Sequence, residues 1–105
     1  MANGFGKDIL IQAEDIEATA AFYVEELGFA ITGRWDNLLG LEGRDINLYI
    51  ERGPSLGPVL EVRVADVAEA KARLIQCGAT VIKDEPDFPR CYIRDPNGLI
   101  YNLRP

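Results

Sequence analysis

The feature that most limits what this chain can become is a set of landmarks repeated at half its length. Asp15 and Asp66 both stand where a helix N-cap is expected and lie 51 residues apart; Gly28 and Gly78 both stand where a helix should stop and lie 50 apart. Between the first pair Ile16, Ala20, Tyr23, Val24 and Leu27 recur at spacings of three and four, and between the second pair Val67, Ala70, Leu74 and Cys77 do the same. That spacing is the mark of a helix with one buried stripe. Glu17 suits the positive end of the first helix dipole, and Glu69, three after Asp66, gives a capping-box pattern with Asp in place of Ser or Thr. Around each helix the order is strand, helix, then further strands: 9–13 before the first and 29–35, 38–42 and 46–51 after it; 59–64 before the second and 79–83, 90–94 and 99–103 after it. The last of these follows the turn Asp95-Pro96-Asn97-Gly98, and residues 52–58 are the one linker-like stretch. A half of roughly 50 residues cannot bury a sheet alone. The expectation is therefore an α+β fold of two βαβββ modules, about 7–52 and 58–105, in a single domain over 1–105. Their strands should form a curved mixed sheet around a cavity, with the helices outside.

Composition narrows the function. Seventeen acidic against 11 basic side chains give a formal charge of -6, which argues against nucleic acid or an anionic membrane as partner. The chain has no histidine, so Ser-His-Asp and Cys-His triads and HExxH zinc sites are excluded. Cys77 and Cys91 form no CxxC pair and read as reduced thiols, Cys77 as a small buried one on the inner stripe of its helix. The start of the chain has no charged stretch leading into an apolar one, and no apolar run reaches the roughly 18 residues of a membrane span, so a cytoplasmic protein is expected. No nucleophile stands out, since Cys91 would need a neighbouring cation to become reactive.

Several segments resemble the vicinal oxygen chelate superfamily, which contains glyoxalase I, extradiol dioxygenases, and fosfomycin- and bleomycin-resistance proteins. They are Ala21-Phe22-Tyr23 with Glu26-Leu27-Gly28-Phe29, Val64-Ala65-Asp66-Val67 with Cys77-Gly78-Ala79, and Asp95-Pro96-Asn97-Gly98. The resemblance implies paired βαβββ modules enclosing a cavity, usually in a dimer. It also implies metal ligands on the first and last strands of each module, His on the first and Glu on the last. The matching positions here are Asp8 and Asn47 in the first module, Val59 and Asn102 in the second. Two amides, one carboxylate and a valine make a poor divalent site. No metal and no cofactor are expected, and the bleomycin-resistance-like branch fits best.

Period-two alternation then predicts which side chains face the cavity. Asp8, Leu10 and Gln12, then Asn47, Tyr49 and Glu51, then Val59, Glu61 and Arg63, then Ile100, Asn102 and Arg104 point inward. Ile9, Ile11, Ala13, Ile46, Leu48, Ile50, Leu60, Val62, Val64, Leu99, Tyr101 and Leu103 point to the helices. The candidate ligand-binding residues are Asp8, Gln12, Trp35, Asn47, Tyr49, Glu61, Arg63 and Asn102. Plainer readings stand beside them: a Glu61–Arg63 ion pair, Tyr49 and Trp35 as packing, Asn47 and Asn102 bonded to each other. Phe22 and Tyr23 read as packing, and Arg90 as a solvated loop charge. The function expected is a metal-free small-molecule binding protein, sequestering a cationic or amphipathic aromatic ligand in a homodimer, with antibiotic resistance as the setting. The alternative is an enzyme of the superfamily, a lyase, isomerase or dioxygenase-like activity, with an atypical carboxylate and amide site in which Asp8, Glu61 and amide oxygens hold a weak cation or the carboxylates serve as metal-free acid and base.

Overall fold

A computed structural model describes residues 4–85, 87 and 90–105. The chain divides into two compact units, Lys7–Pro58 and Val59–Pro105, the second joined by the residues up to Gly6. Both are α+β and built as strand, helix, three strands.

The first unit holds β1 (Gly4–Ala13, shared at its start with the other unit), α1 (Ile16–Leu27), β2 (Ala30–Trp35), β3 (Leu38–Glu42) and β4 (Asn47–Arg52). Its strand order is β2-β3-β4-β1, with β1 and β4 parallel and the other pairs antiparallel. The Asp15 carboxylate accepts the Ala18 N–H at 3.0 Å, and Gly28 closes α1 at φ 76, a left-handed conformation that a side chain would resist. Ile16 and Ala20 of α1 are buried against Leu39, Leu41, Leu48 and Ile50, with Ile9, Ile11, Ala13, Tyr23, Val24 and Phe29 packed around them. Arg34 bridges to Glu17 of α1 at 3.0 Å on this same side of the strands.

The second unit holds β5 (Val59–Arg63), α2 (Val67–Gln76), β6 (Thr80–Glu85), β7 (Arg90–Arg94) and β8 (Ile100–Arg104), in the order β5-β8-β7-β6. Here β5 and β8 are the parallel pair. Asp66 accepts the Glu69 N–H at 3.1 Å, so the cap forms as its spacing predicts. Val64, Ala79, Cys91, Ile93, Tyr101 and Leu103 form the core. The Asp95 carboxylate takes the N–H groups of Asn97 and Leu99 at 2.9 and 3.0 Å, which builds the turn before β8. Even the irregularities repeat: the β2–β3 register shifts between Ile31 and Gly33, and the β6–β7 register between Val81 and Lys83.

Five sequence expectations differ from the structure, the first being Leu27, expected on the buried stripe of α1 and 61% exposed at the last position of that helix. Cys77 is exposed, because the helix ends at Gln76 and Cys77 is its cap, its N–H turned back to the carbonyls of Arg73 and Leu74. Ile46 and Leu99, expected in the core, are exposed where they precede the first hydrogen-bonded residues of β4 and β8. Phe22 is exposed and touches Tyr23 edge-on, while Tyr23 packs inward. Arg90 opens β7 and is half-buried, in place of a solvated loop. Among the described residues no helix is long and apolar enough to cross a membrane.

The two cores give matched tests. Ile50 and Ile93 are both fully buried; truncating either to alanine is expected to cost about 2–5 kcal/mol, read from urea midpoints. Asp15→Ala should cost about 1 kcal/mol through loss of the α1 cap. An unchanged midpoint in any of the three would contradict the packing or capping described.

Candidate functional site

In the first unit, pairing and alternation fix a face opposite α1. Because Ile9, Ile11 and Ala13 pack into the helix core, Asp8, Leu10 and Gln12 lie on the other side, paired with Asn47, Tyr49 and Glu51 across β4. β3 continues the rows with Glu42, Gly40 and Leu38, and β2 adds Gly33 and Trp35. Trp35 lies down on this surface. A Cβ on Gly33 would meet its Cη2 at 2.6 Å, and one on Gly40 would meet its Cζ3 at 3.4 Å and Tyr49 Cε1 at 3.1 Å. Two glycines thus make the shelf on which the indole rests beside Tyr49, and the indole remains 56% exposed. The rows contain three carboxylates, Asp8, Glu42 and Glu51, and no lysine or arginine.

Asp8 and Asn47 are joined directly, Asn47 Nδ2 donating to Asp8 Oδ1 at 3.0 Å. Gln12 Oε1 accepts the Leu56 N–H at 2.7 Å, which pins the 52–58 segment to β1. Its Nε2 is buried and has no partner among the described residues. Such an orphan donor is costly unless something accepts from it.

In the second unit the matching face carries Glu61, Arg63, Asn102 and Arg104. Glu61 is only 6% exposed, with Arg104 Nη1 at 3.2 Å and Arg63 Nε at 3.5 Å. It also fills the space a side chain at Gly6 would need. The ion-pair reading of Glu61 and Arg63 therefore describes its contacts, with Arg104 as a second cation. Asn102 Oδ1 accepts the Cys91 N–H at 2.9 Å. So Asn47 and Asn102 each serve a neighbour in their own unit.

Tyr92 was not among the residues singled out from sequence. It is 1% exposed, sits opposite Asn102 on this face, and has Lys83 and Arg90 over its ring at 6.0 and 5.6 Å. Alternation along β7, with Cys91 and Ile93 in the core, was the signal for it. With Lys83, Arg90 and Arg94 in register on β6 and β7, the face of the second unit is rich in cations. Of the carboxylates expected to face inward, Asp8 and Glu51 lie on the first unit's face and Glu61 is held by two arginines on the second.

Among the described residues the expected metal positions make a poor divalent site. In the first unit, Asp8 and Asn47 bond each other through Oδ1 and Nδ2 and bring only one carboxylate and one amide. In the second, Val59 has no donor atom, the Asn102 oxygen is used by the backbone and Glu61 is held by two arginines. Among the described residues no three His, Cys, Asp or Glu side chains come together to hold an ion. The residues present do not fit the metal that the resemblance implies.

The thiols separate cleanly. Burial pushes the Cys91 thiol above its ordinary 9.0, the Asp84 charge adds to this, and Lys71 opposes it. Burial, and then Asp95, likewise raises Tyr101 above 10.0.

The chain matches the glyoxalase-like domain over residues 8–103, and it belongs to that family. Its fold is that of the glyoxalase, bleomycin-resistance and dioxygenase superfamily. A hypothetical protein of Bacillus halodurans C-125 superposes with a TM-score of 0.70 at 19% identity, covering 98% of this chain and 94% of its own. A superfamily member from Vibrio splendidus 12B01 gives 0.66 at 14%, covering 95% and 97%. Methylmalonyl-CoA epimerase from Mycobacterium tuberculosis gives 0.62 at 17%, covering 95% and 85%. No curated protein matches the chain.

A thiol reagent should label one cysteine, Cys77, in the native protein, and Cys91 only after denaturant is added. Rapid native labelling of both would contradict the burial of Cys91. The raised thiol and phenol also set an alkaline limit. Both groups stay protonated to higher pH folded than unfolded, so their contribution is complete below pH 9.0 and is lost as pH rises through the folded values. The urea midpoint should hold to that pH and fall above it, and Cys91→Ala should blunt the start of the fall. A midpoint that rises above pH 9.0 would contradict this sign.

Proposed function

We propose that this protein is a metal-free small-molecule binding protein that resembles the bleomycin-resistance proteins. It sequesters a cationic or amphipathic aromatic ligand, acts as a cytoplasmic homodimer, and serves antibiotic resistance. The observation that carries the reading is the Trp35 shelf. An indole laid across Gly33 and Gly40, beside Tyr49 and half open to solvent, presents a flat face among strand rows that carry three carboxylates and, among the described residues, no lysine or arginine. An exposed indole face attracts planar rings and cations, and the carboxylates set the preferred sign of the ligand. The orphan Gln12 Nε2 on the same face is a donor suited to a ligand carbonyl or hydroxyl. Against the enzymatic alternative stand the engaged states of Asp8 and Glu61, the two carboxylates such a site would use.

Trp35 is the only tryptophan, so its fluorescence reports the site directly. Titration with bleomycin and with N-methylquinolinium should quench it saturably, and the anionic naphthalene-2-sulfonate should not. Trp35→Ala should weaken N-methylquinolinium, followed by calorimetry, roughly tenfold, as the loss of one stacking and cation–π contact implies. No saturable quenching by either cation at millimolar concentration would overturn the reading. The dimer is tested by light scattering, where a mass equal to one 11.6 kDa chain at micromolar concentration would count against it.

A further inference from the structure

The second unit has a groove of about 620 Å³ on its α2 side, the opposite side of its strands from Glu61 and Asn102. Its floor is Val62, Tyr101 and Leu103, one wall is Leu74 of α2, and the other is Phe5. The repeat differs in size here. Leu74, which lines the groove, stands 51 residues after Tyr23, a larger side chain packed against the core of the first unit. The first helix buries Ile16 and Ala20, whereas no residue of α2 is buried. The volume of the groove lies in the range of small-molecule sites.

The charges around the cleft decide what fits. Asp66, Glu69 and Asp95 line it, against Arg73 alone. Asp95 Oδ1 is used by the turn, but its Oδ2 meets only the Tyr101 hydroxyl, at 3.5 Å. Beside it the rings of Tyr101 and Phe5 stand edge to face at 6.3 Å, with Phe5 60% exposed. A carboxylate oxygen next to two aromatic rings, above an aliphatic floor, suits an ammonium carrying an apolar group.

We propose that this groove is a second binding site, for an amphipathic organic amine. The ammonium sits against Asp95, Tyr101 and Phe5, and the apolar part lies along Val62, Leu74 and Leu103. The site is in the other unit from Trp35 and rests on separate observations.

The test is a titration of the full chain, followed by amide ¹H–¹⁵N shifts, with 2-phenylethylammonium, its neutral analogue 2-phenylethanol and its anionic analogue 3-phenylpropionate. Saturable shifts from the ammonium, centred on Val62 to Leu74 and on Tyr101, are expected, with weaker binding of the alcohol and weaker still of the acid. Glu69→Gln, at an exposed helix position, should weaken the ammonium by about two- to threefold and Arg73→Gln should tighten it by a similar factor, since each changes one charge near the cleft. Phe5→Ala should weaken it roughly tenfold, and Trp35→Ala should leave it unchanged. Shifts confined to residues 7–58, equal binding of the carboxylate, or no saturable shift at millimolar concentration would each overturn the proposal.

Discussion

Everything that can be said about a site here depends on one backbone constraint, the parallel pairing of the first strand of each module with its last. Asp8 to Ala13 run beside Asn47 to Arg52, and Leu60 to Arg63 beside Tyr101 to Arg104. Once that register is set, the two-residue period leaves no freedom. Ile9, Ile11, Leu48 and Ile50 must go to the helix, and Asp8, Gln12, Asn47 and Tyr49 to the other face. A slip of one residue in either strand would turn its carboxylate, Asp8 or Glu51, under α1 and expose its share of the core. The hydrophobic requirement of the helix side therefore holds the polar side in place.

What that polar side does follows from how its groups satisfy one another. Asp8 and Asn47 use each other, Asn102 serves the Cys91 amide, and Glu61 is neutralised by Arg63 and Arg104. Of the four positions from which relatives of this fold are expected to hold a metal, Asp8 and Asn47 are bonded to each other, Asn102 accepts a backbone N–H, and Val59 lacks a donor. The face also carries groups of another kind: an indole on a glycine shelf, a tyrosine beside it, and a glutamine Nε2 with no partner among the described residues. Such groups recognise a molecule by its flat face and its polar edge. They do not polarise a substrate as a metal does.

The sequence disclosed the architecture because its signals were local and redundant. Asp15 and Asp66 cap helices through bonds to residues three further on, and the alternation in β1, β4, β5 and β8 was written in Ile, Leu, Val and Tyr. It disclosed less where tertiary context decides. Cys77 kept the helical spacing, yet its turn had already left the sheet; Ile46 and Leu99 kept the strand alternation one residue before pairing starts. The Gly33 and Gly40 shelf is invisible until β2 and β3 are aligned, since each glycine alone reads as a turn or a weak strand position. Tyr92 and Arg104 needed the β7–β8 and β5–β8 registers before their neighbours could be named.

Where relatives are expected to ligate a metal, this chain has an Asp8–Asn47 bond, an Asn102 bond to the backbone and a valine. Manganese(II) tests this arrangement most directly, because a hard cation ignores the exposed Cys77 thiol and reports only on oxygen donors. The paramagnetic signal of free manganese(II), measured as the protein is added in excess, should remain at full intensity. Its stoichiometric loss, one ion for each chain, would contradict the account.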